Sequence, residues 1–148
     1  MRLNHYRFRS EWRLSHPLPV VWDALEELEA YPKWWPEIRR SEQIELAASR
    51  VTCRSFLPYE LVFVTRSARR EPSVGVLEAT LEGDLNGFSR WTISELEGGG
   101  TLAVFDEEVD VGKTLLKVLA PVARPAFRAN HWLMMKHGRD GLEKYLAR

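Results

Sequence analysis

Alternating apolar and polar positions divide most of the chain into segments with the period of a β-strand. In residues 6–14, Tyr6, Phe8, Trp12 and Leu14 alternate with charged side chains. A period of two places the apolar set on one face of a sheet and the charged set in water. Similar reasoning predicts six further strands, at residues 38–46, 51–57, 61–70, 74–83, 87–96 and 101–111. Turn-forming residues at 47–50, 58–59 and 98–100 make the connections short, which favours an antiparallel meander.

Two short helical stretches are predicted between the first and second strands. Apolar residues at helical spacing predict a helix over residues 17–29. Residues 31–36 are bounded by two prolines, so they form no more than a short helical turn. That turn carries Tyr31, Trp34 and Trp35, and these three aromatic side chains either cap a core or line the mouth of a cavity.

The last third of the chain, residues 114–146, has the pattern of a long amphipathic helix. With about 100° per residue, its apolar stripe contains Phe127, His131 and Met134, and also Gly138 and Gly141. Glycine inside a helix costs roughly 1 kcal/mol relative to alanine, so these glycines indicate either a close approach to another surface or open space beside the helix. Prolines at positions 121 and 125 should break or kink the segment, which leaves a helix over about residues 121–146.

The order of these elements predicts an α+β fold in one domain over residues 1–148. A strand and two short helices precede the meander, and the long helix ends the chain, so the helices lie on one face of a seven-stranded curved sheet. A chain of 148 residues is long enough to bury its own core. A long helix laid across a curved sheet cannot fill its concave side, and the space between them is a natural ligand site.

Composition narrows the range of functions. Lys plus Arg and Asp plus Glu both number 21, so no net field attracts nucleic acid. Cys53 is the only cysteine, and the four histidines are scattered, so we expect no disulfide, metal or other cofactor. Neither a signal peptide nor an apolar run long enough for a membrane span is present, and we expect a cytoplasmic protein. A homodimer is compatible with the sequence.

Several stretches together resemble the START-like, or helix-grip, superfamily, and within it the polyketide cyclase/dehydrase-type ligand-binding proteins. The matching stretches are Val21-Trp22-Asp23-Ala24-Leu25, Tyr31-Pro32-Lys33-Trp34-Trp35-Pro36, Gly83-Asp84-Leu85-Asn86-Gly87 through Trp91, Gly99-Gly100-Thr101, and Asn130-His131 to Met135 followed by Gly138 and Gly141-Leu142. The resemblance implies a seven-stranded antiparallel sheet that grips the C-terminal helix. It also implies a hydrophobic cavity for lipids, polyketides or other small apolar molecules. The superfamily contains binding proteins, transporters and enzymes, so the fold alone does not give the function.

The candidate ligand-binding residues are those that this arrangement turns toward the cavity. We expect the helix residues to face the strand residues across open space, with two tryptophans at the mouth and one carboxylate inside. These ten residues are Phe127, His131, Met134 and Met135, then Phe63, Trp91 and Phe105, then Trp34 and Trp35, and finally Glu107.

His131 and Glu107 are the polar members of that set. His131 either contacts a ligand or bonds a strand carbonyl, and we expect replacement by leucine to weaken binding while leaving stability nearly intact. Glu107 shares the inward parity of Phe105 and Val109, and a buried carboxylate needs a partner. A His131–Glu107 pair would serve either as a structural ion pair, which we favour, or in general acid–base chemistry.

Three functions are compatible with these features. The favoured one is a binding or carrier protein for a small hydrophobic molecule. The alternative is a polyketide aromatase/cyclase or dehydratase that uses an acid–base pair in the cavity, although no residue is assigned as catalytic. The third is a protein-interaction module that uses the Trp34–Trp35 segment and Trp132, which lies on the polar side of the long helix.

Overall fold

Seven antiparallel strands form one sheet in the computed structural model, which describes residues 4–54, 60–112 and 123–148. The strands are β1 (His5–Leu14), β2 (Ile38–Glu45), β3 (Ala48–Cys53), β4 (Leu61–Glu71), β5 (Val76–Gly83), β6 (Leu85–Glu95) and β7 (Thr101–Val111). Their order across the sheet is β1-β7-β6-β5-β4-β3-β2, so β2 to β7 follow one another as neighbours, whereas β1 pairs with β7 at the edge opposite β2.

In the described part of the chain, two α-helices and two 3₁₀ helices accompany the sheet. They are α1 (Leu18–Glu26), a first 3₁₀ helix (Leu28–Lys33), a second 3₁₀ helix (Pro72–Val74) and α2 (Ala123–Leu146). The predicted α+β helix-grip fold is therefore confirmed. Among the described helices, none is both long and apolar enough to cross a membrane.

Some predicted boundaries were wrong. The helix predicted over residues 17–29 ends at Glu26, because the backbone leaves helical geometry at Glu27, where ψ is 78°. The turn predicted at residues 47–50 lies instead just before β3, since Ala47 adopts the left-handed conformation with φ of 62°. Val74 belongs to the second 3₁₀ helix rather than to β5, and β6 begins at Leu85. Residues 55–57 of the third predicted strand and 114–122 of the helical segment lie outside the described residues.

The inward side chains of the sheet form two separate hydrophobic clusters. The first lies beneath α1 and the first 3₁₀ helix and centres on four tryptophans, Trp12, Trp34, Trp35 and Trp91. The second lies beneath the start of α2 and contains Tyr6, Phe8, Leu81, Leu85, Val109, Val111 and Phe127. Phe63 and Leu61 are partly buried and pack against both clusters. The apolar core is thus divided along the sheet.

Two glycines let α2 approach the first cluster closely. A Cβ atom at Gly141 would lie 1.7 Å from the backbone oxygen of Trp34, and one at Gly138 would lie 2.5 Å from the Trp35 ring. The Trp35 indole nitrogen also donates a hydrogen bond to the Met134 backbone oxygen at 2.9 Å. Of the two explanations for these glycines, the structure therefore supports close approach.

Candidate ligand-binding cavity

A cavity of about 270 Å³ lies between the sheet and the segment formed by α1 and the first 3₁₀ helix. Its apolar wall combines aliphatic residues with five aromatic ones, which are Tyr31, Trp35, Phe63, Trp91 and Phe105. Met134 is the one residue of α2, among the described residues, that reaches this wall. The cavity therefore lies mainly beneath the N-terminal helices rather than beneath the long C-terminal helix.

A row of small and polar residues on the sheet explains why this space is open. Glu107 on β7 pairs with Ser89 on β6, Ser89 pairs with Ala79 on β5, and Ala79 pairs with Ser67 on β4. All four residues line the cavity. Apolar residues flank the row on both sides along two of these strands, with Phe105 and Val109 on β7 and Leu77 and Leu81 on β5. The row, which we call the polar row, separates the two hydrophobic clusters and leaves a space that larger side chains would fill.

Glu107 is the one carboxylate of the polar row, and only 9% of its surface is exposed. Its Oε1 atom accepts a hydrogen bond from His131 Nε2 at 3.1 Å. The His131 ring also stacks on Phe8, with a distance of 3.8 Å between ring centroids. The imidazole is therefore fixed between an aromatic ring and a carboxylate, while Glu107 itself faces the cavity.

Polar groups also line the opposite end of the cavity, near β3. The Ser49 hydroxyl donates a hydrogen bond to Glu29 Oε2 at 2.5 Å. The Tyr31 hydroxyl donates to the backbone oxygen of Leu25 at 2.6 Å, and burial raises the pKa of this phenol above its ordinary value. Burial also raises the pKa of the Cys53 thiol to about 12, with the charges of Glu107 and Glu37 adding to the effect. A thiol with such a pKa is a packing residue rather than a nucleophile.

Six of the ten predicted site residues line the cavity. They are Trp35, Phe63, Trp91, Phe105, Glu107 and Met134. The other four lie outside its wall, because α2 packs more tightly than expected. Trp34 and Met135 belong to the first hydrophobic cluster, and Phe127 belongs to the second. His131 lies behind Glu107, so it reaches the cavity only through that residue.

The predicted interaction surface is only partly exposed. Trp34 and Trp35 are 4% and 3% exposed, so this segment was wrongly assigned as a contact surface, because the first hydrophobic cluster encloses both rings. Trp132 is 65% exposed, as its position on the helical wheel predicted, and the Lys136 ammonium lies 5.6 Å from its ring. Across the described ranges, no three ligand-type side chains gather in a way that could hold a metal ion.

Most of the polar residues in the cavity wall were not predicted from the sequence. Ala79 and Ser89 share the inward parity of large apolar neighbours on their strands, so their small size was a readable signal. Glu29 and Ser49 carried no such signal, because one was assigned to the end of a helix and the other to a turn. Their pairing depends on the 3₁₀ helix and on the true start of β3.

Comparison with known proteins places this architecture among related folds. Residues 14–134 match the family described as "Polyketide cyclase / dehydrase and lipid transport". A search of curated proteins found no match. The solved Zhui aromatase/cyclase from Streptomyces sp. R1128 is similar with a TM-score of 0.79 at 13% identity, covering 97% of this chain and 94% of that chain.

Two further solved structures are similar over nearly their whole length. A START superfamily protein from Mycobacterium smegmatis has a TM-score of 0.73 at 19% identity, covering 95% of this chain and 97% of that chain. A conserved protein from Geobacillus kaustophilus has a TM-score of 0.79 at 11% identity, covering 96% of this chain and 95% of that chain. At identities this low, the similarity to solved structures shows the fold alone.

Proposed function

The chain belongs to the polyketide cyclase/dehydrase and lipid transport family, as its resemblance predicted, and from this premise we propose that it binds a small hydrophobic molecule as a binding or carrier protein. The observation that carries the proposal is the cavity above the polar row. It is lined by aromatic side chains and interrupts an otherwise closely packed core. Protein interiors rarely leave space of this size unless something occupies it.

The dimensions of the cavity favour a compact ligand. Its volume of about 270 Å³ is just below the roughly 300–1,000 Å³ typical of small-molecule sites. The rings of Trp35, Trp91 and Phe105 offer flat apolar surfaces against which a ring system can pack. A small ring compound therefore suits this space better than a full-length lipid chain.

Filling the cavity provides the test. Ala79→Leu places a larger apolar side chain in the polar row and should abolish binding of an apolar probe such as naphthalene while leaving the fold intact. Thr80→Leu is the matched control, because Thr80 is the next residue on β5 and is exposed. Calorimetric titration should show binding to the wild type and to Thr80→Leu but not to Ala79→Leu. Equal binding by the wild type and both variants, or binding by none of the three proteins, would refute the proposal.

A polyketide aromatase/cyclase or dehydratase is the second candidate, and the Glu107–His131 pair is the observation that favours it. Glu107 lies in the cavity wall, and His131 holds its carboxylate from behind at 3.1 Å. A carboxylate in that position could accept a proton from a bound carbonyl compound. Turnover of a poly-β-ketone chain that is lost in Glu107→Gln would support this candidate, whereas binding without turnover would support the carrier.

A further inference from the structure

The wall of the cavity contains more acidic than basic side chains. Among the described residues, carboxylates from Glu26, Glu29, Glu78 and Glu107 line it, whereas Arg69 is the one lining residue with a permanent positive charge. A ligand that enters this space therefore meets mainly negative groups. The importance of this imbalance depends on which of the carboxylates already have a cationic partner.

Two of the four carboxylates have an arginine partner outside the cavity wall. Arg70 donates hydrogen bonds from its Nε and Nη2 atoms to the two carboxylate oxygens of Glu26. The Arg90 Nε atom donates to Glu78 Oε1 at 2.6 Å. These two carboxylates are neutralised locally and add little to the field inside the cavity.

The remaining groups leave a net negative charge. The guanidinium of Arg69 already bonds to Glu71, so it is engaged by a carboxylate of its own strand. Glu29 bonds only to the neutral hydroxyl of Ser49 among the described residues. Glu107 likewise has no lysine or arginine partner in the described part of the chain. Both ends of the cavity thus present a carboxylate without a permanent counter-charge.

Glu107 is the better placed of the two to contact a ligand. It occupies β7, an interior strand of the sheet, in the row that forms the floor of the cavity. One of its oxygens, Oε1, bonds to His131, and among the described residues that is its only hydrogen bond. The second oxygen is left to accept a hydrogen bond from a ligand, because a carboxylate is an acceptor only.

We propose that the cavity selects flat ring compounds that carry a hydrogen-bond donor, either a hydroxyl or an ammonium group, and that it rejects carboxylates such as fatty acids. This inference rests on the proposed binding function and assigns its ligand class. A donor satisfies the free oxygen of Glu107, whereas a ligand carboxylate would place a second negative charge beside this largely buried carboxylate.

A series of probes that share one ring system tests the proposal. Naphthalene, naphthol, naphthylmethylamine and naphthoate differ only in the group attached to the ring, and calorimetry at neutral pH gives their dissociation constants. We expect naphthol and naphthylmethylamine to bind at least about tenfold more tightly than naphthoate, a difference of about 1.4 kcal/mol. Naphthalene reports whether the apolar cavity binds a ring at all.

Two variants assign the selectivity to one carboxylate. Glu107→Gln keeps an oxygen that can accept from His131 but removes the charge, so the preference for naphthylmethylamine over naphthoate should shrink toward one. Glu82→Gln is the matched control, because Glu82 is an exposed carboxylate on β5 that does not line the cavity, and its preference should equal that of the wild type.

The outcomes separate this inference from the proposed function. If wild-type protein binds naphthalene and naphthoate as tightly as naphthol, the ligand class is refuted while the binding function stands. If none of the four probes binds, both are refuted. An unchanged preference in folded Glu107→Gln would refute the role of Glu107. The wild-type series decides the ligand class even if that variant does not fold.

Discussion

Replacing His131 by leucine tests how the Glu107 carboxylate is held in the interior. Sequence alone favoured His131 as a ligand anchor whose loss would leave stability nearly intact. The structure reverses that expectation, because His131 lies outside the cavity wall and its Nε2 atom donates to Glu107 at 3.1 Å. The two side chains are 12% and 11% exposed, so the substitution removes the partner of a buried carboxylate.

The expected cost follows from what Glu107 loses. Breaking a hydrogen bond to a charged group costs about 1.5–3 kcal/mol, and removing one member of a fully buried ion pair costs about 3–5 kcal/mol. Glu107 also lines the cavity, where water can solvate the freed oxygen, so the lower range applies. For a chain of this size, that loss lowers the melting temperature by roughly 3–12 °C.

Thermal denaturation followed by circular dichroism measures this change, and a double-mutant cycle identifies its cause. Glu107→Leu combined with His131→Leu should be more stable than His131→Leu alone, because no carboxylate remains unpaired. Affinity for naphthalene, which makes no hydrogen bond, should not change in His131→Leu. A melting temperature equal to that of the wild type, together with weaker binding of naphthol, whose hydroxyl can form a hydrogen bond, would show that His131 is a ligand anchor after all.

Three further predictions concern other parts of the fold. Gly141→Ala should destabilise the fold by about 1–3 kcal/mol because its Cβ would collide with neighbouring backbone, whereas Ala129→Gly on the exposed face of α2 should cost only about 1 kcal/mol. Denaturant titration measures the free energy of unfolding of both variants, and a stabilised Gly141→Ala would contradict the close contact. Burial raises the pKa of Cys53 to about 12, so its thiol should react with a thiol-specific disulfide reagent only after the protein unfolds. Rapid reaction of the folded protein would contradict this prediction. The hydrogen bond from Arg70 lowers the pKa of Glu26 below its ordinary value of 4.5, so this pair stabilises the fold above that pH and loses its contribution as the pH falls through the lower pKa of the folded state. Glu26→Gln should therefore reduce the loss of stability with falling pH, and a pH profile of stability equal to that of the wild type would contradict this prediction.

Strand faces were predictable from the sequence because their signal is local. The alternation in β7 placed Phe105, Glu107 and Val109 on one face, and all three are buried in the structure. Glu107 stood out because a carboxylate broke an apolar series, and the wheel of the last helix placed His131 on the inward stripe. The strand period of β7 and the helical period of α2 each placed one of these residues on the inward face, and in the structure the two side chains are in contact at 3.1 Å.

The position of the cavity beneath the helices was not predictable in the same way. Both α1 and α2 have apolar faces at helical spacing, and neither pattern shows which helix stands away from the sheet. The distinction depends on tertiary contacts, since Gly138 and Gly141 let α2 pack directly against the Trp34–Trp35 segment. Phe127 and Met135 were therefore assigned to a cavity wall although they fill the two clusters.

The polar row leaves space for a ligand but reduces the apolar area that the core buries. Ala79, Ser89 and Ser67 occupy inward positions where larger apolar residues would join the two hydrophobic clusters into one and add buried area. Glu107 in the same row is costlier still, because burial of a carboxylate is unfavourable unless it is paired. His131 on α2 offsets part of that cost while leaving one oxygen toward the cavity. Departures from good core packing tend to collect at functional sites, and here four of them lie side by side on four adjacent strands.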